Sequence, residues 1–404
     1  MSTASGSNHK MRPLGDVAQF LRGITFKPED VVKPGTADSV VCMRTKNVQV
    51  DLDQDDLIAV PSHFVRRDEL YLRESDILVS TANSWNLVGK CSWVPRLDYD
   101  ATAGGFISIL RADVTKILPR YLYYWFNSDK VQHATRLCGR QTTNISNMSF
   151  ERCEALEIPL PPLPEQKRIA DILDKADAIR RKRREVSVNL CDYSLSLFQD
   201  MFGHPDSNPQ HWPIAKFSEV CDSRLGKMLD AKRQTGGDNR PYMRNLNVQW
   251  GRLDLSSVFQ MDFDDSDRQQ FRLRYGDVLI CEGGAGVGQT AIWRDELPEC
   301  YFQKSLHRVR PYPDKATPEY ISFLMWVLMK GSSLLRSISS ATIPHLTGEK
   351  IKEIRIPLPP LAHQKQFSSQ CHRVRVAHCT AVCAVNDADG LFNSLVTRAF
   401  EGDI

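Results

Sequence analysis

The stretch Ile158–Leu163, which reads Ile-Pro-Leu-Pro-Pro-Leu, decides how this chain is organised because the same six residues return at Ile356–Leu361. The two copies lie 356 − 158 = 198 residues apart, and each is followed, after two intervening residues, by Gln-Lys. A proline restricts its own backbone and that of the residue before it. Each copy, called a proline box below, is therefore predicted to be a stiff, extended exit from a folded body.

The repeat extends well beyond the proline boxes. Met43-Arg44 returns as Met243-Arg244, and Asp76, which precedes an apolar run, returns as Asp277 before a similar run. The offsets stay between 198 and 201 residues along the chain. A period of this length is far too long for a solenoid or a propeller, so the sequence predicts duplication of a whole domain.

Length and composition agree with two domains of ordinary size. The chain has 404 residues, of which 42% are hydrophobic and 25% charged, and its formal net charge is only +3. No apolar run is long enough to cross a bilayer, and the polar start lacks a signal-peptide core. The eleven cysteines, an odd number, suit a reducing compartment. We therefore expect a cytoplasmic protein without a membrane partner, in which local basic patches would have to supply any contacts to nucleic acid.

The apolar patterns predict the same order of elements in both halves. In the first half, strand-like runs at 40–43, 77–80 and 106–110 precede a helix at 119–127. In the second half, runs at 278–281 and 306–310 precede a helix at 318–329. Short strands followed by an aromatic helix predict an α+β fold with a strand-rich body in each half.

Each proline box leads into a long helical pattern. In the first pattern, nine positions recur at alternating steps of three and four: Ile169, Ile172, Ala176, Ile179, Arg183, Val186, Leu190, Tyr193 and Leu197. The 198-residue offset gives a thinner, alanine-rich seam in the second: Phe367, Gln370, Val374, Ala377, Ala381, Ala384, Ala388, Leu391 and Leu395. Such spacing is typical of a coiled coil, and the complementary sizes favour close packing of the two helices. We therefore predict two pseudo-twofold-related α/β domains separated by an antiparallel two-helix coiled coil.

Three patterns suggest chemistry, but each lacks an essential part. The run Gly283–Thr290 resembles a phosphate-binding loop, except that Gln289 stands where the lysine is needed. A second pattern, Pro205-Asp206 with Asp230-Ala231-Lys232, resembles an acidic nuclease motif but straddles a linker. A third group on the second helix contains metal-ligating residue types, namely Cys371, His372, His378, Cys379 and Cys383, but it lacks a C-x-x-C pair. The sequence thus predicts no catalytic and no metal site, and small buried thiols are the preferred interpretation of the third group.

A polar and basic signature remains, and it occurs in both halves. Arg, Gln and Asn side chains can read base edges in the major groove, whereas Ser and Thr suit phosphates. We predict DNA contacts in the first half by Arg44, Lys46, Asn47, Arg136, Arg140, Gln141, Thr142, Thr143 and Asn144, and in the second half by Arg244, Asn245, Asn247, Arg336, Thr342 and His345. A solvated polar loop would explain either segment alone, but its recurrence favours the binding interpretation.

Two such domains, each ending in a proline box, with the first box extended by Glu165-Gln166-Lys167-Arg168-Ile169, resemble the specificity subunit of type I restriction-modification enzymes. The resemblance covers essentially the whole chain. It implies target recognition domains at 1–160 and 205–358 and conserved spacer helices at 161–204 and 359–404. Each domain would read one half of a bipartite, asymmetric site in double-stranded DNA, and the helices would set the distance between the half-sites.

The resemblance also implies partners and cofactors. Two methyltransferase subunits would dock on the conserved helices, at Glu165, Gln166, Lys167, Arg168, Gln364 and Lys365, and restriction subunits would join for cleavage. S-adenosylmethionine, ATP and magnesium would be bound by those partners and not by this chain. Two other interpretations are a stand-alone DNA-modifying enzyme and a coiled-coil adaptor that does not bind DNA.

Overall fold

The computed structural model describes residues 9–141, 146–229, 236–331 and 345–403. The chain divides into two compact units. Unit 1 contains Met1–Arg183 and Ala384–Ile404, and unit 2 contains Arg184–Cys383. Both boundaries fall inside the long helices, so each unit includes a part of both helices. The domain limits given above, which follow blocks of sequence, stay a prediction.

Unit 1 is a strand-rich α+β body. Its strands are β1 (Met11–Pro13), β2 (Ala18–Arg22), β3 (Ser39–Met43), β4 (Ile58–Pro61), β5 (Ile77–Ser80), β6 (Ala82–Asn83), β7 (Cys91–Trp93), β8 (Ala101–Ala103), β9 (Ile107–Ala112), β10 (Arg140–Gln141), β11 (Ser146–Asn147) and β12 (Glu157–Pro159). Its short helices are α1 (Pro119–Phe126), α2 (Asp129–Leu137) and α3 (Phe150–Glu154). The strand and helix runs predicted from sequence are confirmed to within one or two residues.

Two sheets form the body of unit 1. One is an antiparallel sheet in the order β2-β9-β5-β7, and the other has the order β4-β3-β8, in which β3 and β8 run parallel. The strands β5 and β9 are buried on both faces at most positions, which explains why they read as continuous apolar runs rather than alternating ones. The aromatic helix α1 covers one face of the first sheet, where Tyr121 and Phe126 are fully buried.

The long helix α4 (Leu163–Phe202) follows the first proline box, and unit 2 then repeats the plan of unit 1. Its strands are β13 (Ile214–Lys216), β14 (Cys221–Leu225), β15 (Asn239–Met243), β16 (Val248–Gln249), β17 (Arg252–Leu253), β18 (Phe259–Asp262), β19 (Val278–Cys281), β20 (Thr290–Ile292), β21 (Tyr301–Phe302), β22 (Leu306–Pro311) and β23 (Arg355–Pro357). Its helices are α5 (Phe217–Val220), α6 (Asp265–Phe271), α7 (Pro318–Gly331), α8 (Gly348–Glu353) and the long α9 (Leu361–Glu401). The sheets β14-β22-β19-β20 and β18-β15-β21 match those of unit 1 strand for strand.

A buried ion pair recurs at the same place in both units. In unit 1, Arg111 donates from Nε and a terminal nitrogen to Asp76 at 2.7 and 2.6 Å, and in unit 2 Arg310 holds Asp277 at 2.6 and 2.8 Å. Asp76 is 2% exposed and Asp277 is fully buried. Because a buried carboxylate needs a partner, the same arginine is required beside it in both units.

The two long helices pack antiparallel in both units. In unit 1, Arg183 donates to the carbonyl oxygen of Ala384, and Arg180 lies over the ring of Phe392. In unit 2, Ser187 lies 3.3 Å from His378. Further along in the same unit, the rings of Phe198 and Phe367 are 5.6 Å apart. Residue numbers fall on α9 as they rise on α4, so the antiparallel arrangement predicted from sequence is confirmed within each unit.

The prediction of a continuous buried apolar seam between the two helices is wrong for the middle of the helix pair. Ile179, Val186 and Tyr193 are about half exposed, and Leu391 on α9 is 60% exposed. The packed face lies about one residue further along α4 and is polar at Asp177, which binds Arg180 and Arg181. These ion pairs and the bond from Arg183 to a main-chain oxygen take the positions that an uninterrupted heptad seam would have filled. None of the helices in the described part of the chain is long and apolar enough to cross a membrane.

Candidate nucleic-acid interface

Strand pairing gathers several loops at one edge of unit 1, which we call edge 1. Ser80 at the end of β5 pairs with Ile107 at the start of β9, and Val79 pairs with Cys91 at the start of β7. In the second sheet, Met43 at the end of β3 pairs with Ala103 at the end of β8. The loops 44–49, 81–90 and 104–106 therefore lie together at this edge.

A short hairpin extends edge 1. The strands β10, β11 and β6 pair so that Arg140 is opposite Asn147, and Asn147 is opposite Ala82. The amides of Thr81 and Ala82 in turn donate to the carbonyl oxygen of Phe106, at 2.9 and 3.4 Å. The pairing places the main chain of the predicted Arg140 and Gln141 at edge 1, whereas Thr142, Thr143 and Asn144 lie outside the described residues. Arg136 lies half-buried in α2, just before the hairpin.

Of the first predicted cluster, two side chains face solvent and one does not. Lys46 is exposed and Arg44 half-buried, and both bind Asp56, so their charges are partly balanced. Asn47 is fully buried, accepts a hydrogen bond from the Arg44 amide at 2.8 Å and donates to the Asp53 carbonyl at 3.0 Å. A base edge has no access to this amide, so Asn47 shapes the turn and is left out of the interface proposed below.

Edge 2, the equivalent edge of unit 2, has the same framework with different side chains. Asn247 repeats the role of Asn47, accepting from the Arg244 amide at 3.0 Å and donating to two carbonyl oxygens, and it too is left out. Arg244 stacks over Phe259, with 3.5 Å between the guanidinium carbon and the ring centroid. Asn245 accepts from the Leu246 amide with its side chain, and Leu246, at the position of Lys46, is 67% exposed.

The glycine-rich run of unit 2 is the counterpart of the 81–90 loop. The main chain of Gly283 pairs with His345, as Ala82 pairs with Asn147 in unit 1. A Cβ atom on Gly283 would lie 2.7 and 2.9 Å from two atoms of the His345 ring, so a side chain there would displace the imidazole. This close approach explains Gly283 without a nucleotide. His345 is exposed at edge 2, while Arg336 and Thr342 lie outside the described residues.

Two exposed residues at edge 1 were not predicted from the sequence. Phe106 is 66% exposed and Asn147 is exposed, although neither belongs to a basic cluster. Their counterparts in unit 2 are Ser305, whose hydroxyl accepts from the Asn245 amide at 3.1 Å, and His345. A loop-by-loop alignment of the two halves would have marked these positions as a shared framework with different side chains.

Gln166 and Gln364 were predicted to bind a partner, but both form hydrogen bonds inside their own unit, so this prediction is wrong. Both are fully buried. Gln166 accepts from the Leu118 amide at 2.7 Å and donates to the carbonyl oxygens of Pro161 and Lys116 at 2.9 and 3.2 Å. Gln364 makes the same three bonds in unit 2 at 3.0, 2.8 and 3.2 Å. Each glutamine ties its proline box to the start of the aromatic helix and has no surface to offer a partner.

The other predicted partner-binding residues are available to a partner. Lys167, Arg168 and Lys365 are exposed, and Glu165 is half-buried. Arg168 binds Glu165 with two hydrogen bonds at 2.7 and 2.9 Å, and these bonds hold the pKa of the Glu165 carboxyl below its usual range. The first turn of α4 therefore presents a compact patch with both charges.

The cysteine and histidine group on α9 shows two different environments. Cys371 is buried, and burial raises the pKa of its thiol to about 12. Cys379 and Cys383 are exposed, so the prediction of buried thiols was wrong for these two. Among the described residues, no three His, Cys, Asp or Glu side chains are grouped closely enough to hold a metal ion.

Comparison of this chain with known protein families identifies the family to which it belongs. The family described as "Type I restriction modification DNA specificity domain" matches residues 6–187 and again residues 209–373. The chain belongs to this type I DNA specificity family. It is 23% identical over 421 residues to the EcoKI specificity subunit of Escherichia coli K12, an alignment that covers 97% of this chain and 88% of that protein. It is 28% identical over 381 residues to the putative MjaX specificity subunit of Methanocaldococcus jannaschii, which covers 89% and 85%.

Solved structures share the fold. A chain from a study of complex assembly and conformational transition of the type I R-M system matches all of this chain and all of its own length, with a TM-score of 0.60 at 18% identity. The S subunit of a type I system from M. genitalium matches 98% of both chains, with a TM-score of 0.55 at 15% identity. The tandem arrangement of mixed helix and sheet, with a long helix between the two halves, is thus the fold of type I specificity subunits.

Proposed function

We propose that this chain is the DNA-reading subunit of a type I restriction-modification enzyme and that each unit reads one half of a bipartite, asymmetric site. The observation that carries the proposal is the repetition of one loop framework with different side chains at its surface. Edge 1 exposes Lys46, Phe106 and Asn147, whereas edge 2 has Leu246, Ser305 and His345 at the same positions. Two readers with one framework and unlike surfaces suit two half-sites of unlike sequence.

The interface proposed here is built from loop side chains and not from the buried asparagines. It contains Arg44, Lys46, Arg136, Arg140 and Gln141 at edge 1 and Arg244, Asn245 and His345 at edge 2, together with Thr142, Thr143, Asn144, Arg336 and Thr342, which lie outside the described residues. Lys90 at edge 1 and Lys304 at edge 2 add positive charge. Cations of this kind bind phosphates and set the register, whereas the amides and the imidazole can reach base edges.

In this proposal the chain has no catalytic role and brings the reaction to DNA through partners in the cytoplasm. Two methyltransferase subunits bind its long helices, and restriction subunits join that complex. S-adenosylmethionine, ATP and magnesium are bound by these partners. The patch of exposed Lys167 and Arg168 with half-buried Glu165, together with Lys365 at the start of α9, supplies polar contacts. Exposed apolar side chains on α4, such as Ile179 and Val186, supply the apolar area that such contacts need.

Methylation mapping in cells tests the proposal. The chain is expressed with its methyltransferase subunits, the methylated motif is read from the genome, and residues 136–147 are then exchanged for the equivalent segment of a relative. We expect one half-site to change while the other half-site and the spacer stay the same. A change in both half-sites, or in neither, would contradict the modular reading.

A salt titration of DNA binding separates the competing functions. Contacts to phosphates make affinity fall steeply with salt, so the complex should lose binding by orders of magnitude between low and moderate salt. A helical adaptor without a DNA role would not bind the oligonucleotide at any salt concentration. Methylation or cleavage of DNA by the purified chain alone would instead favour a stand-alone enzyme.

A further inference from the structure

Edge 1 carries an exposed aromatic side chain where the duplicate has a small polar one. Phe106 follows Gly104-Gly105 in the turn before β9 and is 66% exposed. No aromatic or cationic side chain among the described residues packs on its ring. In unit 2, Ser305 occupies this position and is bonded to the Asn245 amide. The ring of Phe106 is therefore not part of the shared framework, because unit 2 forms the same turn with serine.

The main chain places Phe106 and the exposed Asn147 on either side of the segment Thr81-Ala82. Its carbonyl oxygen accepts from the amides of Thr81 and Ala82, and Ala82 pairs with Asn147 across β6 and β11. Adjacent strands lie about 4.8 Å apart, so Phe106 and Asn147, with one segment between them, are separated by about 10 Å from main chain to main chain. The main chain of Arg140 lies opposite Asn147 on the outer strand. A two-stranded ribbon of this kind is narrow enough to enter the major groove.

We infer that Phe106 and Asn147 together read one A·T base pair in the half-site bound by unit 1, a reading that rests on the proposed function. In the major groove, an asparagine amide matches N6 and N7 of adenine. The 5-methyl group of the paired thymine is the apolar feature of that groove, and an aromatic ring is a suitable contact for it. Lys90, whose amino group binds Gln49 and pairs with no carboxylate of the described residues, adds positive charge at edge 1 for the phosphates. Unit 2 has His345 and Ser305 in place of these two residues, so its half-site lacks this reader.

A uracil scan tests the thymine contact with the unaltered protein. The complex with methyltransferase subunits is titrated with duplexes that carry the mapped site, in which each thymine in turn is replaced by uracil. Removing one methyl group from an apolar contact costs about 0.8 kcal/mol, so we expect about a fourfold loss of affinity at one thymine of the unit 1 half-site. If no thymine in that half-site is sensitive, the reader does not exist.

Variants assign the effect to the two residues. Phe106→Ser, which installs the residue of unit 2, should bind the parent site more weakly and should not distinguish uracil from thymine at the sensitive position. Replacing the adenine of the same base pair by 7-deazaadenine should weaken binding by the unaltered complex. The Asn147→Ala variant should be insensitive to this replacement. Persistence of the uracil effect in Phe106→Ser, or sensitivity at two different base pairs, would overturn the inference.

A matched control and the other half-site show that the variants are folded. Val114, 67% exposed just after β9, lies at the opposite edge of the same sheet, so Val114→Ser should change neither affinity nor uracil sensitivity. Binding to the unit 2 half-site should respond to base changes as before in every variant. If the unaltered complex does not prefer the mapped site over random duplex, the proposed function fails and this reader fails with it. Specific binding without a sensitive thymine removes only the reader.

Discussion

Replacing Gln166 by leucine separates a structural role of this residue from a partner contact. The side chain is fully buried and makes three hydrogen bonds to main-chain atoms of the proline box and of the segment before α1. Leucine has a similar size but cannot make these bonds. At about 1 kcal/mol for each lost bond, we expect unit 1 to lose about 3 kcal/mol of stability. The main-chain groups left without a partner can only increase that cost.

Hydrogen exchange resolved along the chain measures this loss in each unit separately, which matters because a chain with two units need not unfold in one step. A loss of about 3 kcal/mol corresponds to roughly a hundredfold faster exchange of the most protected amides. We expect Gln166→Leu to accelerate exchange in unit 1 only and Gln364→Leu in unit 2 only.

Lys167→Ala, next to Gln166 but exposed, provides the control and should change stability by less than about 0.5 kcal/mol. A structural role of Gln166 is excluded if Gln166→Leu exchanges like the unaltered chain and yet no longer binds the methyltransferase subunits. That result would restore the direct contact that the sequence suggested.

Three further predictions concern pH, the glycine-rich loop and the long helices. Burial lowers the pKa of His307 to about 4, so the unfolded chain takes up a proton that the folded chain does not, and stability falls as the pH drops from about 6.5 towards 4. Unit 2 should lose about 2 kcal/mol between pH 7 and pH 5 in a denaturation series, and His307→Leu should lack this loss. Gly283→Ala should displace the His345 ring and weaken binding to one half-site only, as measured by methylation mapping. Gly284→Ala is the comparison: its Cβ would meet no atom within 4 Å, although alanine would be strained at the positive φ of 78°. A heptad inserted after Ala176, matched by one after Asn393, adds about 10 Å of helix. It should lengthen the spacer of the methylated motif by about three base pairs. An unchanged spacer would show that the length of the helices does not set the distance between the half-sites.

The sequence predicted the repeated elements well because local signals agreed with the fold. The runs at 77–80 and 278–281 are the strands β5 and β19 without any shift, since buried strands appear as uninterrupted apolar residues. The long helices were also found, because proline boxes mark their starts and no proline interrupts them. Antiparallel packing followed from the direction in which each helix leaves its domain.

The site was harder to predict because burial and exposure depend on the whole fold. Asn47 and Gln166 have the residue types that read bases or bind partners, but main-chain groups satisfy both side chains inside the fold, at Asp53 for Asn47 and at Leu118 for Gln166. Ile179 lies on a regular heptad and is nevertheless exposed, because Asp177 and its arginines occupy the packed face. Phe106 gave no signal, since a single aromatic residue in a sequence is normally part of a core.

Repeats, proline boxes and apolar periodicity are local properties of the chain, so they are enough to predict a duplicated α+β protein with two long helices. Which side chains lie exposed at edges 1 and 2 depends instead on the packing of the whole fold. Contacts between residues tens of positions apart place Asn147 and Phe106 on either side of Ala82, and hydrogen bonds to distant main-chain groups enclose Gln166 and Gln364. Which polar groups are available to DNA or to a partner is therefore set by long-range contacts that no short stretch of sequence records.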